Sequence, residues 1–300
     1  MATAAALASQ VPTARTVVAA RRRRPRWSRA VLYAALTLIA LVMLTPLYWA
    51  LLSAVRPQEV VFQHVRPVSW RTFVPQELTL QYFGEVLTRT RFPRALANSL
   101  FISLTTVGAG LVVNSLAGFG FAKFAFRGKA LLFVVVLLTF MMPFEAIVIP
   151  LYMVIRQLGW VDSYLALIVP AIPHGLSIFL FRQFFAEFPN DLLDAARIDG
   201  ASWWAIYWRV VAPLSTPAFI SAALMLFIMQ WDAFFWPLVA ANSAAHTVVQ
   251  VEISRFVMQE STSWGRLFAS TAMAIGVPMT LFFALQRYYV QGVTATGLRA

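Results

Sequence analysis

The 300-residue sequence contains no cysteine, so neither a disulfide framework nor a thiolate metal site can form, and cysteine usage says nothing about redox compartment. Charge is scarce as well: 12% of residues are Asp, Glu, Lys or Arg, against about 25% in a soluble globular domain. With 60% hydrophobic residues, that shortage excludes an ordinary soluble fold and points to lipid. Lysine is nearly missing, 22 of the 24 basic residues being arginine, a bias that suggests a high-GC bacterium and carries no function. No G-x-x-x-x-G-K-[ST] run occurs, and Gly118, Gly120 and Gly128-Lys129 have the wrong spacing to cradle a phosphate. Nor is there an H-E-x-x-H or G-x-S-x-G run, and His64, His174 and His246 offer no metal-ligand spacing. Nucleotide chemistry, metal-dependent hydrolysis and serine hydrolysis therefore have no seat in this chain.

What is present is a series of charge-poor runs, at 31–55, 95–122, 130–155, 164–181, 210–240 and 267–286. Each is about as long as the stretch needed to cross a hydrocarbon core of ~30 Å. The expected fold is all-α and integral to the membrane, with six spanning helices over 31–290. A membrane β-barrel is excluded because LLFVVVLLTF at 131–140 is apolar on both alternating faces. The first run follows Arg21 to Arg24, Arg26 and Arg29 as the core of a secretory signal would, but its length exceeds the usual 7–15 residues. Residues 1–30 are expected to be a disordered basic cytoplasmic tail, and 291–300 a cytoplasmic C-terminal one.

Orientation follows from the arginines and lysines. With the N-terminus inside, the tail, 123–129, 182–209 and the C-terminus carry 15 of the 24 basic residues. Six of the other nine lie in the long loop 55–94, which charge alone does not orient. Both termini are thus expected in the cytoplasm. The formal charge of +12 sits largely beside a span, which suits a membrane surface better than nucleic acid.

That topology places DAARIDGASWWAIYWRVVAP, from Asp194 on, at the cytoplasmic side, with three aspartates and an arginine between 191 and 200. Asn190 can cap a helix whose first turn holds Asp191 and Asp194, where negative charge meets exposed N–H groups. Leu192, Leu193, Ala195 and Ala196 share one arc of it, a small-residue face suited to close docking. Gly200 can take a left-handed conformation and end the helix. Residues 201–212 read as a second helix, too short to span and apolar except for Ser202 and Arg209, lying at the interface with its aromatic rings at headgroup level.

These residues resemble the permease subunits of ATP-binding-cassette importers, whose cytoplasmic loop is patterned E-A-A, three residues, G, nine residues, I-x-L-P. Asp194-Ala195-Ala196, Gly200, Val210 and Pro213 keep that spacing, with Asp194 for glutamate, Val210 for isoleucine and Ala212 for leucine. AARIDGAS (195–202), MMPFEAIVIPLY (141–152) and WDAFFWPL (231–238) are similar to the carbohydrate-importing branch, of the maltose and glycerol-3-phosphate type. The resemblance covers roughly 30–290. It implies a type I importer permease fold, multi-pass in a bacterial inner membrane, with a coupling loop at 186–213 that docks in a cytoplasmic ATPase through Asp194, Ala195, Ala196 and Gly200. It further implies a second, homologous permease and an extracytoplasmic sugar-binding protein meeting the outer loops, 55–94 and 241–266 among them. ATP and Mg would be held by the ATPase, and no cofactor or catalytic residue by this chain.

Two carboxylates, Glu145 and Asp232, fall within spans, where each is costly unless it faces the bundle interior with a partner or water. With Trp231, Phe235 and Trp236 they could line a sugar pathway, or they could hold helices together. Pro143, Pro150, Pro170, Pro173, Pro237 and Pro278 interrupt spans three to six, a tolerable arrangement beside protein or a water-filled cavity. The rival is an ion-coupled secondary transporter using Glu145 and Asp232 as relays, although no internal repeat relates 31–155 to 164–286. A membrane enzyme is weaker still, lacking a nucleophile with a base.

Overall fold

In the computed structural model, residues 26–63, 65, 69–258 and 262–297 are described. The arginines at 21–24, most of the N-terminal tail, His64 and residues 298–300 lie outside them. Among the described residues the fold is helical, with no strand. The chain divides into two units, residues up to Tyr48 and residues from Trp49 onward. The first unit is the larger part of α1 (Arg26–Ala54), whose side chains from Val31 to Pro46 are all exposed. A helix apolar all round and uncovered is one made for lipid or for a partner.

In the second unit, α2 (Gln81–Arg89) precedes the long α3 (Phe92–Lys123). There follow α4 (Lys129–Met141), α5 (Phe144–Gln157), α6 (Tyr164–Ile168), α7 (Gly175–Ala186) and α8 (Asn190–Ile198). Next, α9 (Trp203–Ile206) runs through a π-helical turn at Tyr207–Val211 into α10 (Ala212–Leu214). The chain ends with α11 (Thr216–Trp231), α12 (Phe235–Ala240), α13 (Val249–Met258) and α14 (Trp264–Gly297). α3 is the axis, packed by α7 and α11, while α14 lies against α11, α13 and α2.

Among the described residues, four helical stretches are long and apolar enough to cross a membrane, 29–54, 92–123, 164–186 and 264–286. Two bent pairs raise the number to six if each is one span. The expected continuous helix over 130–155 is instead α4 and α5, meeting at 102°. Pro143 accounts for the break: it forces Met142 out of the helical region, to ψ 130°, and supplies no N–H. The run at 210–240 is likewise divided. The helical stretch Trp203–Leu214 and α11 meet at 79° across Ser215, because Pro217 cannot bond back to the carbonyl of Pro213, and a second break at Asp232–Phe234 separates α11 from α12. α14 carries the helix on through 291–297.

The fourth span is broken too, and its repair organises the bundle. Pro170 and Pro173 interrupt the ladder, and His174 is extended at φ −129°, ψ 112°. The freed groups are met from α3: Asn114 Nδ2 donates to the Ile172 carbonyl at 3.0 Å, and its Oδ1 accepts from the His174 N–H at 3.0 Å. Gly118, one turn further on the same face, lets α7 come close, for a Cβ there would stand 2.6 Å from Phe181 Cβ and 3.0 Å from the Arg182 backbone nitrogen. Replacing Asn114 by leucine should leave both backbone groups unsatisfied, at about 1–3 kcal/mol each. Thermal unfolding in detergent measures the loss, and an unchanged midpoint would show that the α3–α7 contact does not depend on this side chain.

Candidate functional site

The loop between α7 and α11 is built by local rules. Gly200 has φ +82°, and the end of α8 is closed by two bonds: the Gly200 N–H donates to the Arg197 carbonyl and the Ala201 N–H to the Ala196 carbonyl, each at 3.0 Å. That pair is the Schellman arrangement, which requires a left-handed residue at this position. No atom lies within 4 Å of where a Gly200 Cβ would be, so conformation and not crowding selects glycine. Asn190 does not cap: it is the first helical residue, after Pro189 at φ −58°, ψ 128°. Its Oδ1 accepts instead from Lys123 Nζ at 2.9 Å, while the same ammonium donates to the Phe188 carbonyl at 2.7 Å. One of only two lysines in the chain thus ties the end of α3 to the start of α8.

Below the loop lies an aromatic core of Phe119, Phe181, Phe185, Ile206 and Tyr207, into which α8 sends Leu193. Tyr207 and Ser115 share a hydrogen bond of 2.6 Å between α3 and the π-helical turn. The turn itself follows from Pro213, which cannot donate to the Arg209 carbonyl; the Ala212 N–H reaches back to Tyr207 instead. The aromatic run therefore divides. Tyr207 is buried and Trp203 half-buried, the latter under the Arg197 guanidinium at 5.1 Å, whereas Trp204 and Trp208 face outward. The expectation that all these rings lie at headgroup level holds for the outward pair at most. Along α8, Ala196 turns half inward, while Leu192, Asp194, Ala195 and Ile198 are exposed, Ile198 to 86%. The four apolar positions expected on one docking arc are thus split between the core and the open face.

The residues expected along a pathway separate in the same way. Trp231 is buried against Phe227, their rings stacked at 5.6 Å, and Trp236 is buried with its Nε1 donating to the Ala166 carbonyl at 2.9 Å. Both are core residues with no free face for a sugar. Phe235 and Asp232 are exposed at the break between α11 and α12, and Glu145 is exposed in the first turn of α5. Neither carboxylate has an ion-pair partner among the described residues, contrary to the expected interior placement. No group of His, Cys, Asp and Glu able to hold a metal occurs among them.

At the opposite end of α3 a polar lattice joins three segments. Asn98 Nδ2 donates to the carbonyls of Ala245 and Thr247 at 2.9 Å each, its Oδ1 accepts from the Tyr164 hydroxyl at 2.8 Å, and Ser99 Oγ accepts from the Val249 N–H at 2.8 Å. Asp162, at φ +59°, accepts from the Ser243 N–H at 3.0 Å. Burial would raise its pKa, but the bonds from Ser243 and the neighbouring His246 outweigh it and hold the carboxyl below its ordinary value. This lattice fixes the 241–249 segment, and composition gave no sign of it.

The sequence pattern of the family described as binding-protein-dependent transport system inner membrane component matches residues 110–295. The arabinooligosaccharides transport system permease AraQ of Halalkalibacterium halodurans is 30% identical over 262 residues, 87% of this chain and 93% of that protein. The lactose transport system permease LacG of Rhizobium radiobacter is 30% identical over 273 residues, 91% and 96% of the two chains. A chain from the crystal structure of a bacterial transporter that imports the acidic polysaccharide alginate shares the fold, with a TM-score of 0.77 at 21% identity over 89% of this chain and 98% of its own.

The left-handed turn supplies a direct test. Gly200→Asn should be tolerated, whereas Gly200→Val places a β-branched residue at φ +82° and should cost at least about 1–2 kcal/mol locally. Transport by cells carrying each variant, normalised to protein in the membrane fraction, should fall for valine only; equal transport would remove the role of the turn.

Proposed function

Because the chain belongs to the family of binding-protein-dependent transport system inner membrane components, we propose that it is the permease subunit of an ATP-driven sugar importer, forming half of an alternating-access pathway. The observation that carries the coupling role is the state of α8: it is braced on one side by Leu193 and Lys123, ended by Gly200, and bare along Leu192, Asp194, Ala195 and Ile198. A short rigid helix whose open face carries Leu192, Ala195 and Ile198 beside Asp194 suits insertion into a cleft of a cytoplasmic ATPase dimer, with Asp194 meeting a basic group there. ATP and Mg belong to that partner, and this chain breaks no bonds. A homologous permease would complete the pathway, and an extracytoplasmic sugar-binding protein would deliver the sugar. The placement is a bacterial inner membrane with both termini in the cytoplasm, the arrangement the arginine distribution favours. Sugars of the oligosaccharide and disaccharide classes are the proposed cargo, after the names of the relatives. Ion coupling through Glu145 and Asp232 has no support, since the two carboxylates are exposed and unpaired among the described residues.

Since Ala195 faces outward and Ala196 half inward, Ala195→Trp is the cleaner probe of docking. Overpacking of about 1–3 kcal/mol should lower sugar-stimulated ATP hydrolysis roughly five- to a hundredfold in the reconstituted complex, with nucleotide binding by the ATPase intact. Sugar movement by the single purified chain along a proton gradient would overturn the proposal.

Residues at the α11–α12 break should part in their effects. Phe235→Ala should raise the sugar concentration for half-maximal transport at a normal protein level. Trp236→Ala should instead lower the yield of folded complex, because truncating a buried tryptophan costs about 3–5 kcal/mol. Size-exclusion profiles beside transport curves distinguish the two, and a Phe235→Ala protein with unchanged sugar dependence would remove that ring from the pathway.

A further inference from the structure

Where α2 ends and α3 and α14 begin, a cavity of about 330 Å³ is lined by Arg89, Arg91, Arg255 and Arg266, with Glu252 in its wall. Arg255 Nη1 lies 3.1 Å from Glu252 Oε2, and Arg266 Nε donates to Glu85 Oε2 at 2.8 Å. Four arginines against these two carboxylates leave two positive charges in excess among the described residues. Arg89 and Arg91 are exposed, and neither makes a hydrogen bond or ion pair there. Arg89 and Arg255 stand in the last turns of α2 and α13, where the helix dipole favours a cation. Arg91 and Arg266 have no such explanation: they stand at the N-terminal ends of α3 and α14, where the dipole opposes positive charge. Glu85 answers Arg266, and its carboxyl is held below its ordinary pKa by bonds from Gln81 and from Arg266. Nothing among the described residues answers Arg91.

Depth indicates the occupant. Phe92 and Trp264 are the first residues of two candidate spans, so the cavity lies at the same end of both. Trp264 packs there edge-on to Phe62 at 4.8 Å and beside Phe268 at 6.1 Å, in the manner of an interfacial aromatic belt. The volume equals roughly ten waters at ~30 Å³ each, room for a headgroup as well as for a single ion. We propose that this cavity is an anion site that binds a phosphate group at the membrane surface, that of an anionic phospholipid headgroup or free phosphate. The proposal rests on α3 and α14 crossing the membrane and is independent of the transported sugar.

The test uses the full chain in dodecylmaltoside, with bound lipid counted by native mass spectrometry after mixing with phosphatidylglycerol or phosphatidylcholine. Removing two exposed arginine–phosphate pairs, at up to about 1 kcal/mol each, should weaken phosphatidylglycerol retention by up to about 30-fold in Arg89→Gln/Arg91→Gln. Retention should persist in Arg89→Lys/Arg91→Lys, and phosphatidylcholine should be unaffected by either. Should the double glutamine variant unfold, Arg91→Gln alone reads the loss of one pair, up to about fivefold. Inorganic phosphate that binds the wild type and displaces the lipid, but does not bind the glutamine variant, assigns the site to free phosphate. Equal phosphatidylglycerol retention in wild type and variant, with no phosphate binding, overturns the site. So does a defect confined to the association of a protein partner, which would make the arginines a docking surface.

Discussion

The two hydrogen bonds of Asn114 are the constraint on which most of the bundle depends. A helix broken within a membrane exposes backbone groups that lipid cannot satisfy, and each left alone costs several kcal/mol. Here the break at Pro173–His174 is closed by one amide that both donates and accepts. Such an amide works only if α3 lies close to the break. Gly110 and Gly118, one turn before and one turn after Asn114, make that approach possible: Cβ atoms there would stand 3.2 Å from Leu226 Cδ1 and 2.6 Å from Phe181 Cβ. Small residue, amide and small residue on one face of α3 form a single device, in which proximity and polar satisfaction require each other.

The same helix reaches the cytoplasmic loop of the proposed topology, and this gives coupling a physical route. Ser115, next to Asn114, shares a hydrogen bond with Tyr207, and Lys123 at the end of α3 holds both the last turn before α8 and its first residue. α7 enters the loop from one side, and the π-helical turn leaves it toward α11 on the other. A push on α8 would therefore be received at α3, α7 and α11, the three helices that share the aromatic core, rather than absorbed by a slack connector. Packed cores shift between discrete arrangements instead of deforming continuously, so a rigidly held α8 suits a two-state transporter.

How much of this was legible follows from the range of each interaction. The helical class, the apolar runs and the turn at Gly200 depend on composition and on neighbours a few residues apart, and all three are present in the structure. Pro143 was visible as an interruption and Pro217 was not singled out, and whether a proline kinks a span or divides it into helices at 102° and 79° depends on what packs beside it. Asn190 looked like a cap because its type suits one. Lys123, 67 positions away, claims its side chain, and such a partner is invisible to local pattern. Trp231, Phe235 and Trp236 could not be told apart by type, since which ring faces the core depends on the register of a short helix following a break. An amide in the middle of a long apolar run was the one available signal for Asn114.

Glu145 and Asp232 show how placement separates residues that sequence treats alike. Glu145 stands in the first turn of α5, whose exposed N–H groups and positive dipole end favour a carboxylate, so local electrostatics explain it without any ligand. Asp232 stands at the C-terminal end of α11, against the negative end of that helix, with no ion pair among the described residues. A carboxylate kept there is opposed by its own helix and must be met from elsewhere, by water, by a donor on another subunit or by the hydroxyls of a sugar. Phe235, the one exposed ring among the three aromatic candidates for the pathway, lies just beyond it across the break. An apolar face beside an acceptor is the pairing a sugar requires. Among the proposed pathway residues, Asp232 with Phe235 offers that pairing, whereas the position of Glu145 is accounted for by its own helix.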